Sequence, residues 1–211
     1  MGDPAEQLAA GTQDLGLTLT SHQQDQLLAY LELLQKWNSA YNLTAVREPS
    51  QMVTRHLLDS LAIAPWIMGG RYIDVGTGGG LPGVPLSVMF PDRDFHLLDS
   101  NGKKTRFLFQ VKTALGLDNM VVQQARVESF TVEKPFDGVL SRAFASLEDM
   151  LDGCRHLVAD NGQLLAMKGT CPEQEIEAVR GDCDVQVHPL AVPGLAEERH
   201  LLILTPKGGT T

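Results

Sequence analysis

Apolar residues recur along this chain with two periods. Between residues 20 and 41 the repeat is helical. Leu27, Leu31 and Leu34 share one face, and Leu28 and Trp37 widen the stripe. Thr20-Ser21-His22-Gln23 reads as a capping box, with Thr20 the N-cap and Gln23 reaching back. After a polar break at NSAYNLTAVREPS, a second helix begins near Pro49 and Ser50. It runs through QMVTRHLLDSLAIAPW and stops before Gly69-Gly70. The first 15 residues show no comparable stripe and read as loosely ordered.

From Arg71 the rhythm alternates between strand and helix. YIDV, DFHLLD, NMVVQQA, FDGVLS and GQLLAMKG read as strands, and DVQVHP and RHLLILTP as a closing antiparallel pair. Helices are predicted at VPLSVMF, at KKTRFLFQVKTALG with Gly116 as its C-cap, near SLEDMLDGCRHL, and at PEQEIEAVR. This alternation predicts an open α/β fold, with a mostly parallel sheet covered on both faces. The expected organisation is a helical extension over 1–70, an α/β domain over 71–206 and a tail over 207–211.

Composition narrows the class. The chain has 211 residues, 43% hydrophobic and 20% charged, an ordinary globular balance. No apolar run approaches the roughly 20 residues that span a bilayer, and MGDPAEQLAAGTQD lacks a signal-peptide pattern. A cytoplasmic protein without a membrane partner is expected. Cys154, Cys171 and Cys183 form no C-x-x-C pair, so neither a metal site nor a disulfide framework is expected. A net charge of −9 argues against general nucleic-acid binding but leaves a local basic patch open. Lys103, Lys104 and Arg106 cluster at one helix start. Arg47, Arg55, Arg142, Lys168, Arg199 and Lys207 are expected to converge at the carboxyl edge of the sheet.

The candidate chemistry starts at YIDVGTGGGLPGVPLSV, where a strand runs into five glycines within eight residues. Gly78-x-Gly80-x-x-Gly83 satisfies the dinucleotide pattern, and Asp99 ends the next strand where a ribose-binding carboxylate belongs. No lysine follows the glycines, so a triphosphate loop is absent. Asp74, just before the glycines, would repel a pyrophosphate and suits a ligand bearing positive charge. No tyrosine is followed by lysine four residues later, which weakens a short-chain oxidoreductase reading. S-adenosylmethionine, with a ribose, an ammonium, a sulfonium and no phosphate, reconciles these features.

RHLLDSLA, IDVGTGGGLPGVPLS, LLDSNGKKTRFL, RVESF, FDGVLSRAFASL and ERHLLIL, with KWNSAYNLTAV before them, resemble the bacterial small-subunit ribosomal RNA methyltransferase G family, also called glucose-inhibited division protein B. The resemblance runs from about Leu17 to Leu204. It implies a Rossmann-like S-adenosylmethionine-dependent methyltransferase sheet with an N-terminal helical extension. The implied activity is methyl transfer to N7 of one guanine in 16S rRNA of the small ribosomal subunit. Cofactor contacts then fall on Gly76, Leu81, Val127, Glu128 and Arg142, while Asp74, Gly78, Gly80 and Asp99 match the general methyltransferase pattern. Gly79 departs from the family, where proline is frequent.

Guanine N7 is an unprotonated lone pair, so the implied reaction needs no general base. No Pro-Cys or Pro-Pro-Tyr follows the fourth strand; LSRAFASL stands there instead. Positioning then carries the chemistry. The candidates are Arg142 on guanine O6 or the cofactor carboxylate, Phe144 stacking on the base, Lys168 at the end of the fifth strand, and His56. Asp59 and Arg55 are expected beside His56, and Arg199 and His200 on the same side. Trp37 and Tyr41 read as core. Two other readings stay open on sequence alone: a nicotinamide-dependent oxidoreductase, and a non-catalytic ribosome-assembly or RNA-binding factor on the same fold.

Overall fold

A computed structural model describes residues 3–207. Residues 208–211 of the expected tail lie outside the described residues. The first segment departs from expectation. Residues Pro4–Asp14 form helix α1, capped by Asp3, whose side chain accepts from the Ala5 amide. Its only large buried apolar residue is Leu8, so no stripe announces it. It docks instead through Gly11, where an added Cβ would lie 2.3 Å from Leu58 Cδ1.

Helix α2 (Ser21–Tyr41) carries the expected capping box, and Asn42 closes it in the left-handed conformation. The next predicted helix is broken into three pieces. Helix α3 (Pro49–Met52) passes into a π-helical turn (Val53–Leu58) and then α4 (Asp59–Leu61). Such wide turns occur disproportionately at functional sites.

The strands are β1 (Arg71–Val75), β2 (Asp94–Asp99), β3 (Met120–Gln124), β4 (Phe136–Ser141), β5 (Val158–Lys168), β6 (Cys183–Pro189) and β7 (His200–Pro206). They form one sheet in the order β3-β2-β1-β4-β5-β7-β6. The first five are parallel. β7 pairs antiparallel with both β5 and β6, so the closing antiparallel pair is as expected.

Helices α5 (Gly83–Met89) and α6 (Gly102–Leu115) cover one face together with α1 and α2. Leu8, Leu27, Tyr30, Leu34, Leu86, Phe107 and Leu108 share a single core there. The extension is thus packed into the sheet's own core. Each such buried leucine contributes roughly 2 kcal/mol through area removed from water. Helices α7 (Leu147–Cys154) and α8 (Glu173–Val179) cover the other face, over Ile73, Val75, Val139 and Leu164. Successive strand residues point to opposite faces, which puts Tyr72 in the first core and Ile73 in the second.

Strand order reverses between β1 and β4. In open α/β sheets the crevice beyond the carboxyl ends at such a switch point is where ligands bind.

Candidate active site

A cleft of about 310 Å³ opens at that point. Its walls come from the carboxyl ends of four strands: Val75 and Gly76 after β1, Leu98 to Ser100 at β2, Ala125 to Glu128 after β3, and Ala143 and Phe144 after β4. Lys104 of α6 closes one side. Of the expected cofactor residues, Gly76, Asp99, Val127 and Glu128 line this cleft. Phe144 lines it too, half-buried, its other side packed on the α7 core.

Two glycine positions in the loop cannot carry a side chain. Gly76 sits at φ +68°, and a Cβ there would lie 2.7 Å from the Ala143 Cβ. Gly80, at φ +98°, would place one 2.5 Å from Val84 Cγ2. Both conformations favour glycine.

Asp74 lies behind this wall, 1% exposed. Its Oδ2 accepts from the Thr77 hydroxyl at 2.6 Å and from the Gly83 amide at 2.8 Å. The carboxylate therefore sits at the start of α5, where a phosphate would sit in a dinucleotide site. Its Oδ1 is buried without a partner. Burial pushes its pKa up to about 6, against the hydrogen bonds from Thr77 and Gly83.

The loop's other amides are engaged as well. Gly76 and Thr77 donate to the Leu98 carbonyl, Gly78 to Asp99 Oδ2 at 3.0 Å, and Gly80 and Leu81 to the Thr77 carbonyl. A loop with its donors spent inside the protein is a poor cradle for pyrophosphate. Asp99 is itself fixed, with Oδ1 accepting from the Asn101 amide at 2.9 Å and Lys104 Nζ 3.6 Å from Oδ2. Gly78, Gly80 and Leu81 thus shape the loop and are not part of the cleft wall.

A second polar cluster is built from the helical extension and the far side of β4. Asp59, 1% exposed, receives two guanidinium groups: Arg142 at 3.3 Å on Oδ2 and Arg199 at 3.2 Å on Oδ1. Burial raises the Asp59 pKa and both arginines oppose that rise. Arg142, an expected cofactor contact, lies outside the cleft wall although the next residue, Ala143, lines it.

His56 does not pair with Asp59. Its Nε2 lies 2.9 Å from Thr44 Oγ1 and its Nδ1 is buried without a partner. Burial lowers its pKa to about 4, and the positive charges of Arg142 and Arg55 act in the same direction. His56 is therefore neutral near pH 7. Thr44 is held in turn by Asn38, whose Oδ1 accepts from the Thr44 amide at 2.9 Å. This is the structural work of the NSAYNLTAV stretch, which sequence reading left as a break between helices. Arg55 pairs with Glu197 at the rim.

Lys168 spends its ammonium internally. It donates to the Phe144 and Ala145 carbonyls at 3.3 and 3.1 Å and pairs with Glu175 at 3.0 Å. Glu175 also accepts from the Leu147 amide at 2.9 Å. Lys168 and Glu175 thereby brace the segment between β4 and α7. His200 contacts the Gly169 carbonyl through Nδ1 at 2.6 Å. Trp37 and Tyr41 stack at 5.2 Å, and Trp37 packs against Phe107 at 5.8 Å.

Lys207 does not join the carboxyl edge. Because β7 runs antiparallel, its start lies beside Lys168 and its end beside Cys183, so Lys207 falls at the opposite edge, near Asp184. Sequence reading missed Thr77, Ser100, Ala125, Arg126 and Ala143. Only their position at strand ends could have found them.

Among the described residues no group of three His, Cys, Asp or Glu side chains is placed to hold a metal ion. No helix among them is long and apolar enough to cross a membrane.

The sheet order, the glycine loop and the acid-walled cleft define the Rossmann-like methyltransferase fold. Similar structures include the glycopeptide N-methyltransferase MtfA complexed with (S)-adenosyl-L-methionine, 13% identical with a TM-score of 0.63, covering 72% of this chain and 88% of that one. A SAM-dependent methyltransferase from Aquifex aeolicus is 15% identical with a TM-score of 0.56, covering 84% and 98%. Residues 23–202 match the family model described as rRNA small subunit methyltransferase G. Relatives include the ribosomal RNA small subunit methyltransferase G of Ectopseudomonas mendocina, 56% identical over 203 residues and 95% of each chain. That of Escherichia fergusonii is 54% identical over 200 residues, 94% of this chain and 97% of its own. The chain belongs to the ribosomal RNA small subunit methyltransferase G family.

Proposed function

We propose that this protein transfers a methyl group from S-adenosylmethionine to N7 of a guanine in 16S rRNA of the small ribosomal subunit, and so works in the cytoplasm. The observation that carries the cofactor assignment is the spent glycine loop beside a cleft walled by Asp99. A ligand with ribose hydroxyls and no phosphate suits it, whereas a nicotinamide dinucleotide does not. The unpartnered Asp74 Oδ1 adds a buried acceptor suited to a cationic ligand. When bound, the cofactor supplies a methyl group activated by its sulfonium.

The chain's own residues bind and orient. Asp99 takes the ribose hydroxyls, Val127 and Glu128 flank the adenine, and Gly76 lets the backbone approach. Phe144 stacks on the acceptor base. His56 is neutral and serves position through Thr44. Guanine N7 presents its own lone pair, so in-line placement carries the rate.

The test uses purified protein, labelled S-adenosylmethionine and small subunits from cells lacking the gene. Label in one guanine of 16S rRNA supports the reading. Cofactor binding without transfer favours a non-catalytic assembly factor, and binding of NADH alone favours the oxidoreductase.

A further inference from the structure

Asp59 is a carboxylate with its side chain 2% exposed, yet it holds two guanidinium groups whose side chains are 30% and 21% exposed. Arg142 follows β4 directly, one residue before the cleft wall. Arg199 directly precedes β7, whose first residue, His200, is in register with Lys168 at the end of β5. Both arginines therefore stand at the carboxyl edge, beside the cleft, and both are fixed by one anchor that comes from the extension. The buried side is satisfied by Asp59. The exposed side of each guanidinium still carries N–H donors, and a guanidinium has no acceptor. The seat is rigid, donor-only and of net charge +1.

We propose that Asp59 is a positioning residue that pins Arg142 and Arg199 as a seat for O6 of the acceptor guanine. This inference rests on the rRNA guanine-N7 reading above. O6 neighbours N7 on the major-groove edge, and adenine carries an amino donor at that position. Donor-only groups accept the guanine carbonyl and reject the adenine amine, because two donors facing each other stay unpaired. The base is thereby selected at the atom adjacent to the one methylated, and N7 stays free for attack. Asp59 touches neither base nor cofactor. It acts by holding both guanidinium groups at one spacing, which two free arginine side chains would not keep.

The test is a cycle between protein and base. Small subunits are reconstituted with guanine or 2-aminopurine at the target; the latter keeps N7 and lacks O6. Methyl transfer is compared for wild type, Asp59→Asn and Arg142→Lys, with S-adenosylhomocysteine affinity measured alongside. Wild type should prefer guanine by on the order of tenfold to a hundredfold in kcat/KM. Both variants should lose guanine activity and show a ratio near one, with cofactor affinity and thermal melting close to wild type. Asp59→Glu should restore part of the ratio.

A ratio unchanged in the variants overturns the proposal, and a reduced salt slope beside it would assign the pair to a backbone phosphate. A parallel loss of cofactor affinity assigns it to the cofactor and overturns it too. Absence of transfer by wild type to guanine subunits, with cofactor still bound, means that the parent reading has failed and takes the seat for O6 with it.

Discussion

Tyr30 donates its hydroxyl proton to the Gly79 carbonyl at 2.8 Å, joining α2 to the glycine loop through a fully buried contact. Burial pushes the phenol pKa upward, so the proton stays on Tyr30 at any working pH. The extension is thus part of the cofactor loop's support.

Tyr30→Phe removes this donor and leaves a buried carbonyl unpaired. The expected cost is about 1–3 kcal/mol, seen as a fall in melting temperature of roughly 2–4 °C for each kcal/mol. Cofactor affinity, read by calorimetry with S-adenosylhomocysteine, should weaken by up to about tenfold.

Gly76→Ala should abolish cofactor binding. The residue needs φ +68°, and the new methyl group would meet Ala143 at 2.7 Å on the cleft wall. The backbone strain costs on the order of 1–3 kcal/mol. Calorimetry should show no saturation, while circular dichroism keeps the α/β signature.

Asp74 gives a pH dependence of opposite sign to the histidines. Its folded pKa, about 6, lies above its ordinary value of 3.8. Its contribution to stability is fully present below about 3.8 and is lost as pH rises through 6. His56 and His96, both lowered from 6.5 to about 4 by burial, contribute stability that is present above 6.5 and lost as pH falls towards 4. Asp74→Asn should therefore change stability relative to wild type most favourably near pH 7.5. That difference should decline by on the order of 3 kcal/mol by pH 4. Denaturant melts across this range measure it. His96→Leu should flatten the acid loss between pH 6.5 and 4.

Lys168→Met tests a bracing role against an RNA contact. Lys168 is committed to the Phe144 and Ala145 carbonyls and to Glu175. Loss of the brace should lower kcat by about tenfold, roughly 1.4 kcal/mol of transition-state stabilisation, and leave the salt slope of subunit binding unchanged. A phosphate contact would instead reduce that slope by about one.

Much of this architecture was legible because it is local. The capping box at Thr20 and Gln23, the Gly116 cap, and the alternation of strands and helices from Arg71 follow from spacing within a few residues. The place of the cleft followed from strands whose ends carry glycine and Asp99. Helix α1 was not legible because it docks through Gly11 and buries only one large apolar side chain. The π-helical turn has no periodic signature in six residues. The union of Asp59 with Arg142 and Arg199 is a long-range contact, 140 residues apart for Arg199. Sequence puts Asp74 next to the glycines, but only coordinates place its Oδ2 on the Gly83 amide at 2.8 Å.

The central claim is tested most directly by mass spectrometry of 16S rRNA from cells with the gene, without it, and complemented with Gly76→Ala. The account predicts one fragment in which a single 7-methylguanosine is present with the gene, absent without it, and not restored by the variant. An unchanged modification pattern in cells lacking the gene would contradict it.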